Sequence, residues 1–417
     1  MARRNAADRM AWALAAAALL LGGCGGEDDP PARDGGCGIV CGEGQVCVDG
    51  RCVSEGGPDA DGDGVNDGLD RCASSPPGER VDRSGCTLEQ ATVPLPQGPW
   101  GVGIRDPAGD FTVQTLEGSW SLHASWTGRD SYLFLVHQAS NEYSAGLWNS
   151  RPGRLFAESP PNVHYFFLDT SATEGERRAA LEELKGRVDE DLATLGTADQ
   201  WSGRVHYVTD SVTALDGALG AFFAAHPQFA FAIDRFGRWR EVGLLVDMTR
   251  GGSVPEMRFL AAEARGFEYE RRLAWQLDTF DATEVVVFDG DRHAGGWEEG
   301  YVTDVEIELP SAAEMARFDS MAVHLYTACP EHLQGRDAGC NEWDYAHHLF
   351  LCDADDPSRC ETELVRYVTP YGREGEWLTD VSELLPLFAD GGRRTLRYAG
   401  ANGYDMHLRI LLWDAGK

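Results

Sequence analysis

The eleven cysteines fall towards the two ends of this 417-residue chain, and none lies between Cys86 and Cys329. Close-spaced cysteine sets belong to exported proteins whose small segments cannot bury a core of their own, whereas a cysteine-free stretch of this length is held by apolar packing. The distribution divides the chain before any element is assigned: stapled modules, then a cored region from about Pro94 to Leu277, then a second stapled region. Setting aside Cys24, local pairing is the natural expectation. Cys37, Cys41, Cys47 and Cys52 make two bridges, Cys72 pairs with Cys86, Cys329 with Cys340, and Cys352 with Cys360. Connectivity within the first set stays open, because four cysteines allow three pairings. Zinc is the rival for that set, and an exported chain argues against it.

Export is itself legible at the amino terminus. Arg3, Arg4 and Arg9 precede an apolar run from Met10 to Leu21, too short to span a bilayer but suited to a signal-peptide core. The run ends in Leu21-Gly22-Gly23-Cys24, which resembles a bacterial lipobox; that resemblance implies a signal peptide over 1–23 and lipidation of Cys24. An ordinary secretory signal containing a cysteine is the alternative. No other segment approaches a membrane span, so the expected location is the bacterial cell envelope, as a lipid-anchored lipoprotein facing the periplasm or cell surface. With 68 acidic and 36 basic residues the net charge is −32, which repels nucleic acid and anionic headgroups and leaves the lipid as the membrane contact. Residues 24–36 have little to bury and form a flexible tether; residues 37–54 form a disulfide knob.

Within residues 57–90, Asp59, Asp61, Asp63, Asp67 and Asp70 occupy loop positions 1, 3, 5, 9 and 12, with Gly64 at 6 and the Val65 carbonyl at 7. Hard oxygen ligands at alternate positions around a glycine turn are calcium spacing, so structural calcium is expected, the other reading being an acidic linker. Asp70 stands where an EF-hand has glutamate, and no helices flank the loop. With Pro76-Pro77-Gly78 and the Cys72/Cys86 pair, the segment resembles a thrombospondin type-3 repeat.

Residues 93–277 read as α/β. Tyr132–Val136 and Val163–Leu168 are apolar runs suited to buried central strands. Ser171 and Glu174 form a capping box for a helix carrying Leu181, Leu184, Val188, Leu192 and Leu195. A strand over 204–208, a helix over 215–225, a hairpin of 229–233 and 239–245, and a helix from Pro255 to about Leu273 follow. This order, entered through Asp110–Gly118, resembles the thioredoxin and peroxiredoxin superfamily, with Pro227 near that family's cis-proline. The segment His137–Leu147 after the first central strand contains no cysteine, so thiol exchange has no nucleophile, and a scaffold or peptide-binding role is expected.

From residue 278 to 417 the period changes to two, as in Val305–Leu309 and Met321–Tyr326, which argues for antiparallel strands in a jelly roll or sandwich. The run Cys340-Asn341-Glu342-Trp343-Asp344, with Cys329-Pro330 before it and Arg366–Tyr371, Leu378–Leu385 and Thr395–Tyr398 after it, resembles the first jelly-roll domain of the peptide-N-glycosidase F family. The whole chain is therefore expected to be multidomain: disulfide and calcium modules, an α/β thioredoxin-like domain, then an all-β antiparallel jelly roll.

The resemblance implies a glycoamidase acting on N-linked glycoproteins or glycopeptides, with Asp344 as the catalytic carboxylate that activates water or relays protons. Trp343, Tyr371 and Trp377 are the candidate sugar-stacking residues. Departures are equally visible. Tyr345 stands where the family has arginine, Ala401 where it has a substrate-site glutamate, and Gly403 where it has tryptophan; a further glutamate belongs to a second jelly roll absent from this sequence, which a separate chain would have to supply. Asp405, Glu374 and Glu376 are the acids that would have to stand in. A non-catalytic, calcium-dependent glycan- or protein-binding or adhesion role is the alternative. The jelly roll is also similar to copper-dependent peptidylglycine monooxygenases, and His347-His348 is a histidine pair, but neighbouring strand side chains point to opposite faces, which argues against copper.

Overall fold

The computed structural model describes residues 56–416 apart from 139, 228–229, 243–255, 294–300, 330–344, 371–373 and 401–402, together with the backbone of two short strands upstream. Outside the described residues lie the expected signal peptide and tether over residues 1–36, Cys24, Cys37, Cys41, Cys340, Trp343, Asp344, Tyr371, Ala401 and the expected helix start at Pro255. The chain divides into two units, Met1–Gly57 and Pro58–Lys417. The first contains β1 (Gln45–Val48) and β2 (Arg51–Ser54), antiparallel with Cys47 opposite Cys52.

In the second unit, β3 (Thr112–Thr115), β4 (Gly118–Ser121), β5 (Ser131–His137), β6 (Val163–Asp169), β7 (Val205–Val208), β8 (Ala230–Ile233) and β9 (Trp239–Glu241) form a seven-stranded mixed sheet. Its order is β4-β3-β7-β6-β5-β8-β9, with β5, β6 and β7 mutually parallel and β8 antiparallel to β5. The unbroken apolar runs of β5 and β6 follow from burial on both faces, since alternate side chains serve two different cores. Leu133, Leu135, Tyr165 and Phe167 pack with Leu181, Leu184 and Val188 of the helix Glu174–Leu195, while Phe134, Val136, Phe166 and Leu168 face Leu219 and Phe222 on the other side.

Two boundaries differ from the sequence expectation for identifiable reasons. The helix over Glu174–Leu195 is capped by Thr173 and Glu176 rather than by Ser171 and Glu174, because the Ser171 amide donates to Asp169 Oδ1 and so still belongs to the strand exit. The final helix, Phe259–Asp278, continues past Leu273, and its last turns are used: Arg271 donates to the Leu88 carbonyl at 2.6 Å and Trp275 Nε1 to the Cys86 carbonyl at 3.0 Å. These contacts fasten the acidic-loop module to the α/β layer. Among the described residues the cis peptide bond is Gly98–Pro99, so Pro227 does not supply one.

The carboxyl-terminal region contains β10 (Thr283–His293), β11 (Tyr301–Ser311), β12 (Ser320–Ala328), β13 (Ala346–Leu351), β14 (Thr362–Val368), β15 (Gly375–Asp380), β16 (Gly391–Gly400) and β17 (Tyr404–Trp413). They form two four-stranded antiparallel sheets, β10-β17-β12-β15 and β11-β16-β13-β14. Counted from β10, these orders read 1-8-3-6 and 2-7-4-5, the interleaved Greek-key order of a jelly roll. Val323, Leu325, Leu408 and Ile410 from one sheet meet Leu349, Val365, Leu396 and Tyr398 from the other in one buried core. The bridges Cys72–Cys86 and Cys352–Cys360 are formed as spacing suggested, and Cys329 is also disulfide-bonded.

Candidate functional site

The acidic loop builds its shape from its own carboxylates. Asp59 accepts from the Gly62 and Gly64 amides, Asp63 Oδ1 from the Val65 amide at 2.8 Å, Asp67 from the Ala60 amide, and Asp61 Oδ2 from the Ser75 amide at 2.7 Å. Oxygens of Asp59, Asp61 and Asp63 lie within 4.8 Å of one another, whereas Asp67 and Asp70 are not part of that cluster. Asp63 Oδ2 is buried without a hydrogen-bond partner. Burial first, and then the charges of Asp63, Asp61 and Asp67, push the Asp70 carboxyl above its usual range against a hydrogen bond from the Cys72 amide. Glycine at position 85 is needed here, since a Cβ would sit 2.2 Å from Asp70 Oδ1 and 3.1 Å from Asp63 Oδ2. Converging carboxylates, one with an orphaned buried oxygen, fit a hard divalent cation, which would supply the missing positive charge.

At the other candidate site, two of the acids considered as stand-ins for a missing catalytic carboxylate lie at the start of β15, Glu374 just before the strand and Glu376 within it, and the third, Asp405, lies on β17. Glu374 is almost fully buried, with 2% of its side chain exposed; it is ion-paired with Arg105, accepts from Tyr326 Oη at 2.9 Å and accepts from the Cys329 amide at 3.2 Å. Glu376 meets His324 Nε2 at 2.8 Å, and Asp405 is held by the Arg292 fork on the neighbouring β10–β17 pair. Burial, offset partly by Arg105, pushes the Tyr326 hydroxyl well above its ordinary range, so it stays protonated and donates. Trp377 is half-buried and packs against Tyr367 with ring centroids 5.5 Å apart, its ring lying over Gly375. Tyr345, the residue after Asp344, exchanges hydrogen bonds with Thr369 through its amide and carbonyl.

The adjacent histidines part as strand geometry requires. His347 is fully buried against Tyr398 and Tyr404, with Nδ1 bonded to the Tyr398 hydroxyl, while His348 faces Glu363 at 2.6 Å and stacks beside Phe350. Gly403, where the resemblance expects tryptophan, has φ +88, a conformation natural to glycine.

Sequence reasoning missed two constellations. Arg105 adopts φ 70, which a glycine-rich stretch gives no reason to expect of its arginine. The second is a buried row on adjacent strands, in which Asp130 lies 3.4 Å from His164 Nε2 and His164 Nδ1 lies 3.0 Å from His206 Nε2. Burial and then the His164 charge push His206 down to about 3, while the His164 hydrogen bond and Arg204 outweigh burial and hold Asp130 at about 2. The repeated Val-His-Tyr at 163–165 and 205–207 was the available signal: a histidine inside an apolar strand run.

No family model and no curated protein matches the chain. Among solved structures, it is similar to PNGase F, a glycosylasparaginase from Flavobacterium meningosepticum, at 16% identity and TM-score 0.26, covering 32% of this chain and 42% of that one. It is similar to PNGF-II at 11% identity and TM-score 0.25, over 45% of this chain and 43% of that one, and to the K3 adhesin domain of Lys-gingipain from Porphyromonas gingivalis at 9% identity and TM-score 0.20, over 32% and 74%. The chain thus spans about two fifths of the length of the PNGase F and PNGF-II structures. These are partial likenesses at low identity, so function has to be read from the chain's own residues.

Proposed function

We propose that this chain is a lipid-anchored lipoprotein of the bacterial cell envelope that binds N-linked glycoproteins or glycopeptides through its carboxyl-terminal sandwich, with a structural calcium ion in the loop Asp59–Asp70. The observation that carries the choice of binding over hydrolysis is the state of the acids that would have to stand in for the family's missing ones. Glu374, Glu376 and Asp405 are each committed to a cationic or imidazole partner, and Glu374 is enclosed as well. A general base needs a carboxylate that can reach substrate and exchange a proton, and an acid locked in a buried ion pair does neither. Trp377 on the edge strand β15 is half-buried, packed on the sandwich core and beside Tyr367, and the part of its ring left exposed is the aromatic surface offered to a sugar.

A second reading is favoured by one specific feature, the Cys340-x-Glu342-Trp343-Asp344 run: a glycoamidase in which Asp344 is the essential carboxylate, requiring companion acids from a partner chain. The two readings separate in one experiment on the unit Pro58–Lys417, kept whole because Arg271 and Trp275 tie the calcium module to the rest. A denatured N-glycoprotein is incubated with this unit and with its Asp344→Asn variant, and each glycosylated asparagine is read by mass. Glycopeptide binding without release supports the binding reading. Conversion of asparagine to aspartate that vanishes in the variant replaces it with an amidase that needs no partner chain, and absence of binding refutes the binding reading.

A further inference from the structure

Among the described residues Arg105 is the one non-glycine residue with positive φ, at 70. L-residues avoid that region unless their surroundings hold them there. Two features hold Arg105. Its amide donates to the Trp239 carbonyl at 2.8 Å, which fastens its backbone to β9, and its guanidinium leaves the α/β layer to pair with Glu374 while lying over the Tyr326 ring at 5.8 Å. The pair does not stand alone. Asp234, fully buried, holds Arg240 at 2.9 Å; Arg240 holds Glu270 through two bonds of 2.7 and 2.8 Å; and the field of Arg105 also acts on Glu270. Acid and base alternate from the interior of the α/β layer to the sandwich.

The row ends at a defined place. The oxygens of Glu374 bind Tyr326 Oη and the Cys329 amide, so this one carboxylate joins the carboxyl-terminal end of β12 to the residue that precedes β15. Thr327 reinforces the same corner, its hydroxyl bonded to the Gly375 carbonyl at 3.2 Å, and Tyr269 of the last α/β helix donates to the Glu376 carbonyl at 3.3 Å. A buried carboxylate is stable in that position only while a cation faces it.

We propose that Arg105 is a positioning residue for the sandwich's ligand site: by neutralising Glu374 it holds the Cys329 end of β12 against the start of β15, the strand that carries Trp377. The α/β layer thereby acts as the anchor of this corner, a task that needs no thiol. The proposal rests on the glycopeptide-binding reading only in naming the ligand; the holding of the strand end is independent of it.

The test uses the full chain and its Arg105→Met and Arg105→Lys variants, read by amide hydrogen exchange and by affinity for an asparagine-linked glycopeptide. Arg105→Met is expected to speed exchange of the Cys329 amide by about tenfold or more, while Leu408 in the centre of the same sheet keeps its wild-type rate, and to weaken glycopeptide binding by a comparable factor. Arg105→Lys, which keeps the charge but loses the planar guanidinium over the Tyr326 ring, is expected to fall between. Unchanged exchange at Cys329 overturns the proposal, and so does uniform acceleration that includes Leu408, which marks a merely structural role. Local loosening with unaltered glycopeptide affinity also overturns it. Should Arg105→Met fail to fold, Arg105→Lys decides: no acceleration at Cys329 refutes the idea. If the wild-type chain binds no glycopeptide, the binding reading fails, and the exchange result alone decides whether Arg105 holds the corner.

Discussion

Acidification should remove about 3 kcal/mol of stability through a single side chain, His206. The residue is 6% exposed, lies against Phe166 with ring centroids 4.4 Å apart and against Trp120 at 5.5 Å, and meets one titratable neighbour directly, His164, beyond which stands Asp130. Burial, and then the proximity of His164, depress its pKa to about 3, against roughly 6.5 in the unfolded chain. A histidine with a depressed folded pKa is protonated first in the unfolded state, so its contribution is complete above about pH 6.5 and drains as pH falls towards about 3. Over the roughly 2.5 pH units down to about pH 4, at about 1.4 kcal/mol per unit, the loss is about 3 kcal/mol. Asp130 does not offset it: its folded pKa of about 2 lies below the unfolded value, so its contribution persists until the pH drops under about 4. The assay is denaturant unfolding at about pH 7 and about pH 4 for wild type and His206→Phe. The variant starts less stable, since His164 Nδ1 loses its partner at a cost of about 1–3 kcal/mol, but its stability should change less with pH by the amount given. An equal drop in both proteins would show that His206 is not the group that titrates.

The acidic loop predicts a second effect. Calcium at about a hundred times its dissociation constant should raise stability by about 2.7 kcal/mol, seen as a higher melting temperature that a chelator reverses, and Asp63→Asn, which blunts the orphaned Oδ2, should abolish the rise. In the sandwich core, Leu408→Ala removes a fully buried side chain from the centre of β17 and should cost about 2–5 kcal/mol in chemical denaturation without altering calcium binding; a cost under about 1 kcal/mol would mean the two sheets are not packed face to face there.

Much of the architecture was legible in the chain because it depends on short-range rules. Cysteine spacing foresaw Cys72–Cys86 and Cys352–Cys360, since a loop of a few residues brings thiols together whatever the rest does. Unbroken apolar runs marked β5 and β6, and period-two alternation marked the sandwich strands, because side-chain direction along a strand is a backbone property. The capping register of the helix Glu174–Leu195 slipped by two residues because both Ser171 and Thr173 can cap, and only the strand exit at Asp169 chose between them.

What the sequence determined by itself is thus the local bridges Cys72–Cys86 and Cys352–Cys360, the buried runs of β5 and β6 and the change from α/β to antiparallel periodicity, all set by residues near one another in the chain. Only the tertiary structure decided what the acids do. Glu374, Glu376 and Asp405 read alike as exposed loop carboxylates, yet each is taken by a cation or imidazole from a distant segment, Arg105 most of all, 269 positions before Glu374. The same holds for His164 and His206, which become neighbours only when β6 pairs with β7. Charge pairing inside a fold depends on which segments the cores bring together, and no local pattern encodes that.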